Sequence, residues 1–326
     1  MNVSYALRLF CICSATFFFV NALLSFAVKF VSKAAIRVAE KMRPRSASHF
    51  LLGVRLLPFA LGLSAVLGLC IPSYLWLEPQ ATAERVGWVF LTFALFGALV
   101  CALSIGRAVR AVAVSNRYNR AWLKEGHEDR LTTEDSNAVI VENNVPLLAV
   151  AGVYRPRLMI SEGVLRSLSA EQLAVALRHE KAHCGSRDNL KRLLLLLVPD
   201  AIPFVSSLSS LDREWSKFSE WAADDEAVQG DARRALSLAE ALLRVARMGA
   251  GPQLSFLHTS LVAADQDLSA RVDRLLSLEP ARFESLPWKR FVTGASFLLL
   301  SASVAALMLL PATLSSVHRL LELFLH

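Results

Sequence analysis

Residues 169–185 read SAEQLAVALRHEKAHCG. The Ser169 hydroxyl can accept from the free amides of a helix start, and Gln172 can reach back to close a capping box. The spacing then predicts one helix, LAVALRHEKAHC, stopped at Gly185. His179 and His183 stand four residues apart, one turn along a single helix face. Both imidazoles can therefore meet one ion, about 2.0–2.1 Å from it if the ion is zinc. Glu180 sits next to the first histidine and can take a proton from metal-bound water without binding the metal.

Two histidines need a third donor, and the chain offers one roughly 37 residues beyond His183. Residues 212–228, DREWSKFSEWAADDEAV, are helical by composition and carry Glu220 and, one turn on, Asp224. Glu220 is the expected third ligand. Asp224 can accept the second ring N–H of a ligand histidine and fix its tautomer. By spacing alone, Glu220, Asp224, Asp225 and Glu226 read equally well as a solvated acidic face, and Glu214 is a weaker ligand candidate. Two histidines and one glutamate leave a fourth zinc position for water, whose pKa zinc can lower to about 7. Glu180 would carry the proton to a leaving amine.

The setting of this helix is apolar. Of 326 residues, 54% are hydrophobic and 19% charged, with mean hydropathy +0.44; a soluble chain carries about 25% charged residues. The excess gathers in four runs long enough to cross a bilayer: Leu9–Val28, about Leu56–Leu77, Val86–Ile105 and Phe291–Leu310. The first lacks a small-residue cleavage site and is expected to be retained rather than removed as a signal peptide. The net charge of +7 lies mostly beside these runs, which reads as topology signalling and not as nucleic-acid binding. Lys29, Lys33, Arg37, Lys41, Arg43 and Arg45 follow the first run. Arg107, Arg110, Arg117, Arg120 and Lys124 follow the third, and Lys289 and Arg290 precede the fourth. Glu78 and Glu84 mark the second turn. One arrangement satisfies all but Arg8: termini outside, residues 107–290 in the cytoplasm.

The expected architecture is thus mainly α, a polytopic membrane protein. Residues 1–106 form three membrane helices, 107–290 a zincin-like α+β domain, and 291–326 a fourth helix with a short external tail. Within the domain, Leu193–Leu208 reads LLLLLVPDAIPFVSSL. Pro199, Asp200 and Pro203 break it, which predicts a core helix or a re-entrant element rather than a fifth span. Cys11, Cys13, Cys70, Cys101 and Cys184 form no CxxC and no disulfide framework. His127, His258, His318 and His326 lie off the motif, with His258 the one that could approach the cleft.

These motifs resemble those of the BlaR/MecR-type integral membrane zinc metalloproteases, which include the β-lactam sensor-transducers. HEKAHCGSRDNLKRLL is similar to that family's H-E-x-x-H followed by Arg-Asp-Asn and a leucine-rich run. EWAADDEAV resembles its Glu-x-x-x-Asp helix, and RVDRLL from Arg271 its closing arginine motif. The likeness covers about Val139 to Leu276. It implies His179, His183 and Glu220 as zinc ligands, Glu180 as general base and Asp224 behind the ligands. It also implies Asp188 as an organiser of the helix end, and an edge strand around Pro146–Val150 for an extended substrate. Arg271 and Arg274 are expected to pack and pair rather than to stabilise an oxyanion. The expected activity is an endopeptidase of a bacterial-type inner membrane, cutting a cytoplasmic protein such as a helix-turn-helix repressor. After the fourth run only PATLSSVHRLLELFLH follows, so the expectation is of proteolysis and not of β-lactam sensing. Two other readings are a processing or quality-control protease resembling HtpX and the CAAX prenyl protease, and a non-enzymatic membrane scaffold.

Overall fold

The computed structural model describes residues 5–77, 87–131, 136–142, 146–154, 156–200, 206–249, 258–260, 265–277 and 316. The expected fourth membrane helix lies outside them. Three apolar helices come first: α1 (Tyr5–Ala39), α2 (Pro44–Ala65) and, after α3, α4 (Trp88–Glu125). One π-helical turn, Val66–Cys70, joins α2 to α3 (Ile71–Leu77), so that Pro44–Leu77 forms a single apolar rod. All three rods are long and apolar enough to cross a membrane. Phe10, Phe19, Phe26, Phe30, Leu67, Leu95, Leu99 and Leu103 point outward, while Asn21, Ser25, Ser32 and Ser104 are buried between helices. That inversion suits lipid, where apolar side chains gain nothing by hiding and polar ones need partners. At Gly97 the backbones of α1 and α4 approach so closely that a Cβ would collide with the Ser14 carbonyl.

The helices outrun the expected spans. α4 continues without a break through residue 107 to Glu125 and passes directly into β1 (Gly126–Leu131). The remaining strands are β2 (Ser136–Val141), β3 (Leu148–Ala151), β4 (Arg157–Ser161) and β5 (His258–Ser260). The sheet runs β1-β2-β4-β3-β5, with β2 and β4 parallel and the other pairs antiparallel. The alternation of a strand sends Ile140, Leu148, Leu158 and Ile160 into the main core, and Val139, Val141, Ala149 and Met159 onto Trp122 of α4. β3 is not an edge strand: β5 pairs with it, Val150 opposite Thr259. The expected substrate edge is therefore already occupied by a three-residue strand too short to show any alternation in sequence.

Five further helices complete the domain around a short α5 (Glu162–Ser167): α6 (Ala170–Ser186), α7 (Asp188–Leu197), α8 (Ser206–Val228), α9 (Ala232–Arg247) and α10 (Asp265–Leu276). Leu173, Ala176 and Leu177 of α6 join Leu238, Leu242 and Val245 of α9 over the sheet. α8 packs its first half, Leu208, Leu211 and Trp215, on Val28 of α1 and on Ala47 and Leu51 of α2. Among the described residues, the run Leu193–Leu208 forms no helix of spanning length. α7 ends at Leu197 after ten residues, about 15 Å of helix against the roughly 30 Å a bilayer needs.

Candidate metal centre

The capping box at the start of α6 forms as the sequence suggests: Gln172 N–H donates to Ser169 Oγ at 3.2 Å, and Ser169 N–H to Gln172 Oε1 at 3.1 Å. The other end differs. Gly185 stays helical, and Arg187 takes the left-handed conformation (φ 54°, ψ 43°) that ends α6. Glycine is the usual occupant of such a position, because it carries no Cβ to clash. Here the sharp turn sends the next two residues to specific partners. The His183 Nδ1–H donates to Asp188 Oδ2 at 2.7 Å, and the Asn189 amide donates to the Val150 and Gly152 carbonyls at 3.1 and 2.9 Å. The Arg-Asp-Asn run is thus a turn, a histidine anchor and a tie to β3.

α6 and α8 bring His179, His183 and Glu220 together, all buried. Nε2 of His179 and Nε2 of His183 are 3.1 Å apart; Glu220 Oε2 lies 3.5 Å from the first and 3.6 Å from the second. Donors bound to one tetrahedral ion at about 2.0–2.1 Å would be separated by about 3.3 Å, so the triangle has the right size for a metal. The outer nitrogens are held too. His179 Nδ1 is 2.9 Å from Asp224 Oδ1, close enough for an ion pair though off the line of a straight hydrogen bond. Asp188 also accepts from Ser219 at 2.9 Å and pairs with Lys191 at 2.9 Å. Glu214, the weaker ligand candidate, pairs instead with Lys217.

Charge tells the same story. Burial works to lower His183, but Glu220 and the Asp188 hydrogen bond outweigh it and push its pKa up to about 10. Burial likewise opposes charge on His179, and Asp224 and Glu220 overcome it. Burial would raise Glu220, yet the two histidines and Arg271 hold its carboxyl well below the usual range. Positive charge is favoured at the centre of the triangle, which a cation would supply. Glu180 is the exception. Both its oxygens are buried without a hydrogen-bond partner among the described residues, and burial raises its pKa to about 7 against the pull of the two histidines.

Arg271 of α10 closes the site. It grips Asp224 with two hydrogen bonds, 2.9 and 2.6 Å, and reaches Glu220 at 3.3 Å. Arg274 pairs with Asp225 and lies over the Trp221 ring at 5.3 Å. The pairing role expected for both arginines is what the geometry gives. Arg192, which nothing in its spacing singled out, comes within 3.5 Å of Glu220 from α7. A cavity of about 480 Å³, lined by Arg45, His49, Lys181, Asp188 and Lys191 among others, opens behind His183. None of His179, Glu180 and Glu220 lines it, so it is not a substrate groove over the donor triangle.

Asp188 carries a testable weight. A carboxylate on the outer nitrogen of a metal-binding histidine fixes its tautomer and basicity, and losing it costs 10–100-fold in metal affinity. Asp188→Ala is expected to weaken zinc binding by about that factor in a chelator competition. Affinity within twofold of wild type would reduce Asp188 to a helix-end group.

Apolar rods that can cross a membrane, joined to a buried two-histidine, one-glutamate cluster with an unpartnered carboxylate beside it, define a membrane metallopeptidase. The chain belongs to the family described as BlaR1 peptidase M56, whose model matches residues 78–275. No curated protein matches it. The matched segment contains the H-E-x-x-H residues, Glu220, Asp224 and Arg271.

Proposed function

We propose that the protein is a zinc endopeptidase that cleaves a cytoplasmic protein at the membrane face as a step in regulation. The observation that carries this is the triangle of His179, His183 and Glu220, with the unpaired Glu180 carboxylate beside it. His179, His183 and Glu220 are the ligands. Zinc held there supplies Lewis acidity toward a peptide carbonyl and a lowered pKa for water. Glu180, buried beside the donors with no hydrogen-bond partner among the described residues, accepts the proton of the attacking water and delivers it to the departing amine. Asp188 and Asp224 orient the ligand histidines through their outer nitrogens, and Arg271 keeps Asp224 ionised. Resemblance to the BlaR/MecR-type proteases supports a transcriptional repressor as the substrate. The Arg-Asp-Asn turn supports this reading over an HtpX-like processing protease.

The basic flanks of the membrane rods favour a cytoplasmic active site in a bacterial-type inner membrane. Single cysteines in a chain freed of its native ones test this. Gln80→Cys and Ser316→Cys are expected to react with an impermeant reagent added outside the cell. Glu128→Cys and Gln229→Cys are expected to react only once the membrane is opened. External labelling at Gln229→Cys but not at Glu128→Cys would make Leu193–Leu208 a real span and split the donors across the bilayer; external labelling at both would put the catalytic domain on the other side.

A further inference from the structure

Beyond α7 the chain dips between the membrane helices. Asn21 of α1, itself buried, donates to the Pro199 carbonyl at 3.0 Å. Arg107 of α4 donates to the Val198 carbonyl and to Asp200, each at 3.3 Å. Arg55 of α2, only 3% exposed, donates from Nη2 to Asp200 at 2.6 Å and from Nε to Asp212 of α8 at 2.9 Å. One guanidinium therefore joins the segment after α7 to the first half of α8, from within the apolar rod Pro44–Leu77. A cation buried there is costly unless paired, and this one is paired twice.

α8 is a single helix with two duties. Its first half packs on α1 and α2, and its second half carries Glu220 and Asp224. Asp212 precedes Glu220 by eight residues, about 12 Å along the axis. The apolar contacts of Leu208, Leu211 and Trp215 hold α8 against α2, and the attraction behind them is non-directional. The charge-assisted bonds of Arg55 are directional. A slide of about 1 Å would move Glu220 equally, and metal centres demand donor placement to within about 0.5 Å.

We propose that Arg55 is a positioning residue for the metal centre: by clamping Asp212 to Asp200 it sets the axial register of α8 and so places the Glu220 carboxylate opposite His179 and His183. The role rests on the metallopeptidase reading given above. Burial pushes the Asp212 carboxyl up against the pull of Arg55, so deleting the arginine outright would disturb folding as well as register.

Two milder variants of the full chain separate the effects. Asp212→Asn keeps the shape and removes the charge that Arg55 grips. Arg55→Lys keeps the charge and loses the fork that spans both carboxylates. Chelator competition reads zinc affinity, the visible spectrum of the cobalt(II)-substituted protein reads donor geometry, and tryptophan emission with Tm reads the fold. Both variants are expected to fold, to bind zinc about tenfold more weakly, in the range of an outer-sphere loss, and to give an altered cobalt spectrum. If Asp212→Asn does not fold, Arg55→Lys decides alone. Folded variants with zinc affinity within twofold of wild type and an unchanged cobalt spectrum overturn the positioning role and leave the peptidase reading standing. Wild-type protein that binds no zinc overturns that reading, and the role of Arg55 with it.

Discussion

Glu180→Gln is expected to retain its zinc and to lose peptidase activity by about 10²–10⁴-fold, the usual worth of a general acid–base group. The substitution keeps size and shape and removes only the ability to hold a proton. Glu180 is no part of the donor triangle, so metal content should stay at one ion per chain by elemental analysis. The fold should tolerate the change, because the native carboxylate is buried with neither oxygen hydrogen-bonded among the described residues. In metal-free protein its pKa rises from 4.5 to about 7 on folding. The folded state then binds the proton more tightly than the unfolded chain. Glu180's contribution to stability is present below pH 4.5 and is lost as pH rises through about 7. Glutamine removes that loss, so the metal-free variant should melt no lower than wild type at pH 8. Cleavage of a labelled protein substrate at the wild-type rate by the zinc-loaded variant would exclude Glu180 as the base.

Glu220→Ala is expected to empty the site. Removing one of three donors leaves the two histidine nitrogens 3.1 Å apart with no anionic partner between them, and two arginines, Arg271 and Arg192, lose a carboxylate that they flank. Loss of an outer-sphere partner costs 10–100-fold in metal affinity, and a direct ligand should exceed this, so zinc affinity should fall by more than about 100-fold. Arg271 still has Asp224, which should preserve the α8–α10 contact and a folded protein. Glu214→Ala is the matched control. Its carboxylate is engaged by Lys217, and zinc should remain. Full zinc occupancy in Glu220→Ala together with loss in Glu214→Ala would reassign the third ligand.

Much of the site was legible because its chemistry is local. His179, Glu180 and His183 share one helix turn, and Asp224 follows Glu220 by one turn on another, so helical period alone places each group within its own element. The membrane rods were legible for the same reason, as uninterrupted apolar runs. What sequence did not show depends on contacts made across the chain. The anchoring of His183 by Asp188 follows from a left-handed Arg187, a conformation that favours glycine and so pointed to Gly185 instead. The covering of β3 by His258–Ser260 joins segments more than a hundred residues apart through backbone bonds that carry no side-chain signature. Arg55 was hidden by position: a single arginine at the border of an apolar run reads as a flank, and only the fold reveals Asp200 and Asp212 waiting for it.

The single unbroken rod of α8 also acts as a spacer. Asp212, near its start, meets Arg55 of the rod Pro44–Leu77, and Glu220 stands eight residues on, about 12 Å along the axis. No loop lies between the two, so a stretch of helix, which can neither lengthen nor fold back, fixes the distance from the apolar rods to the donor triangle.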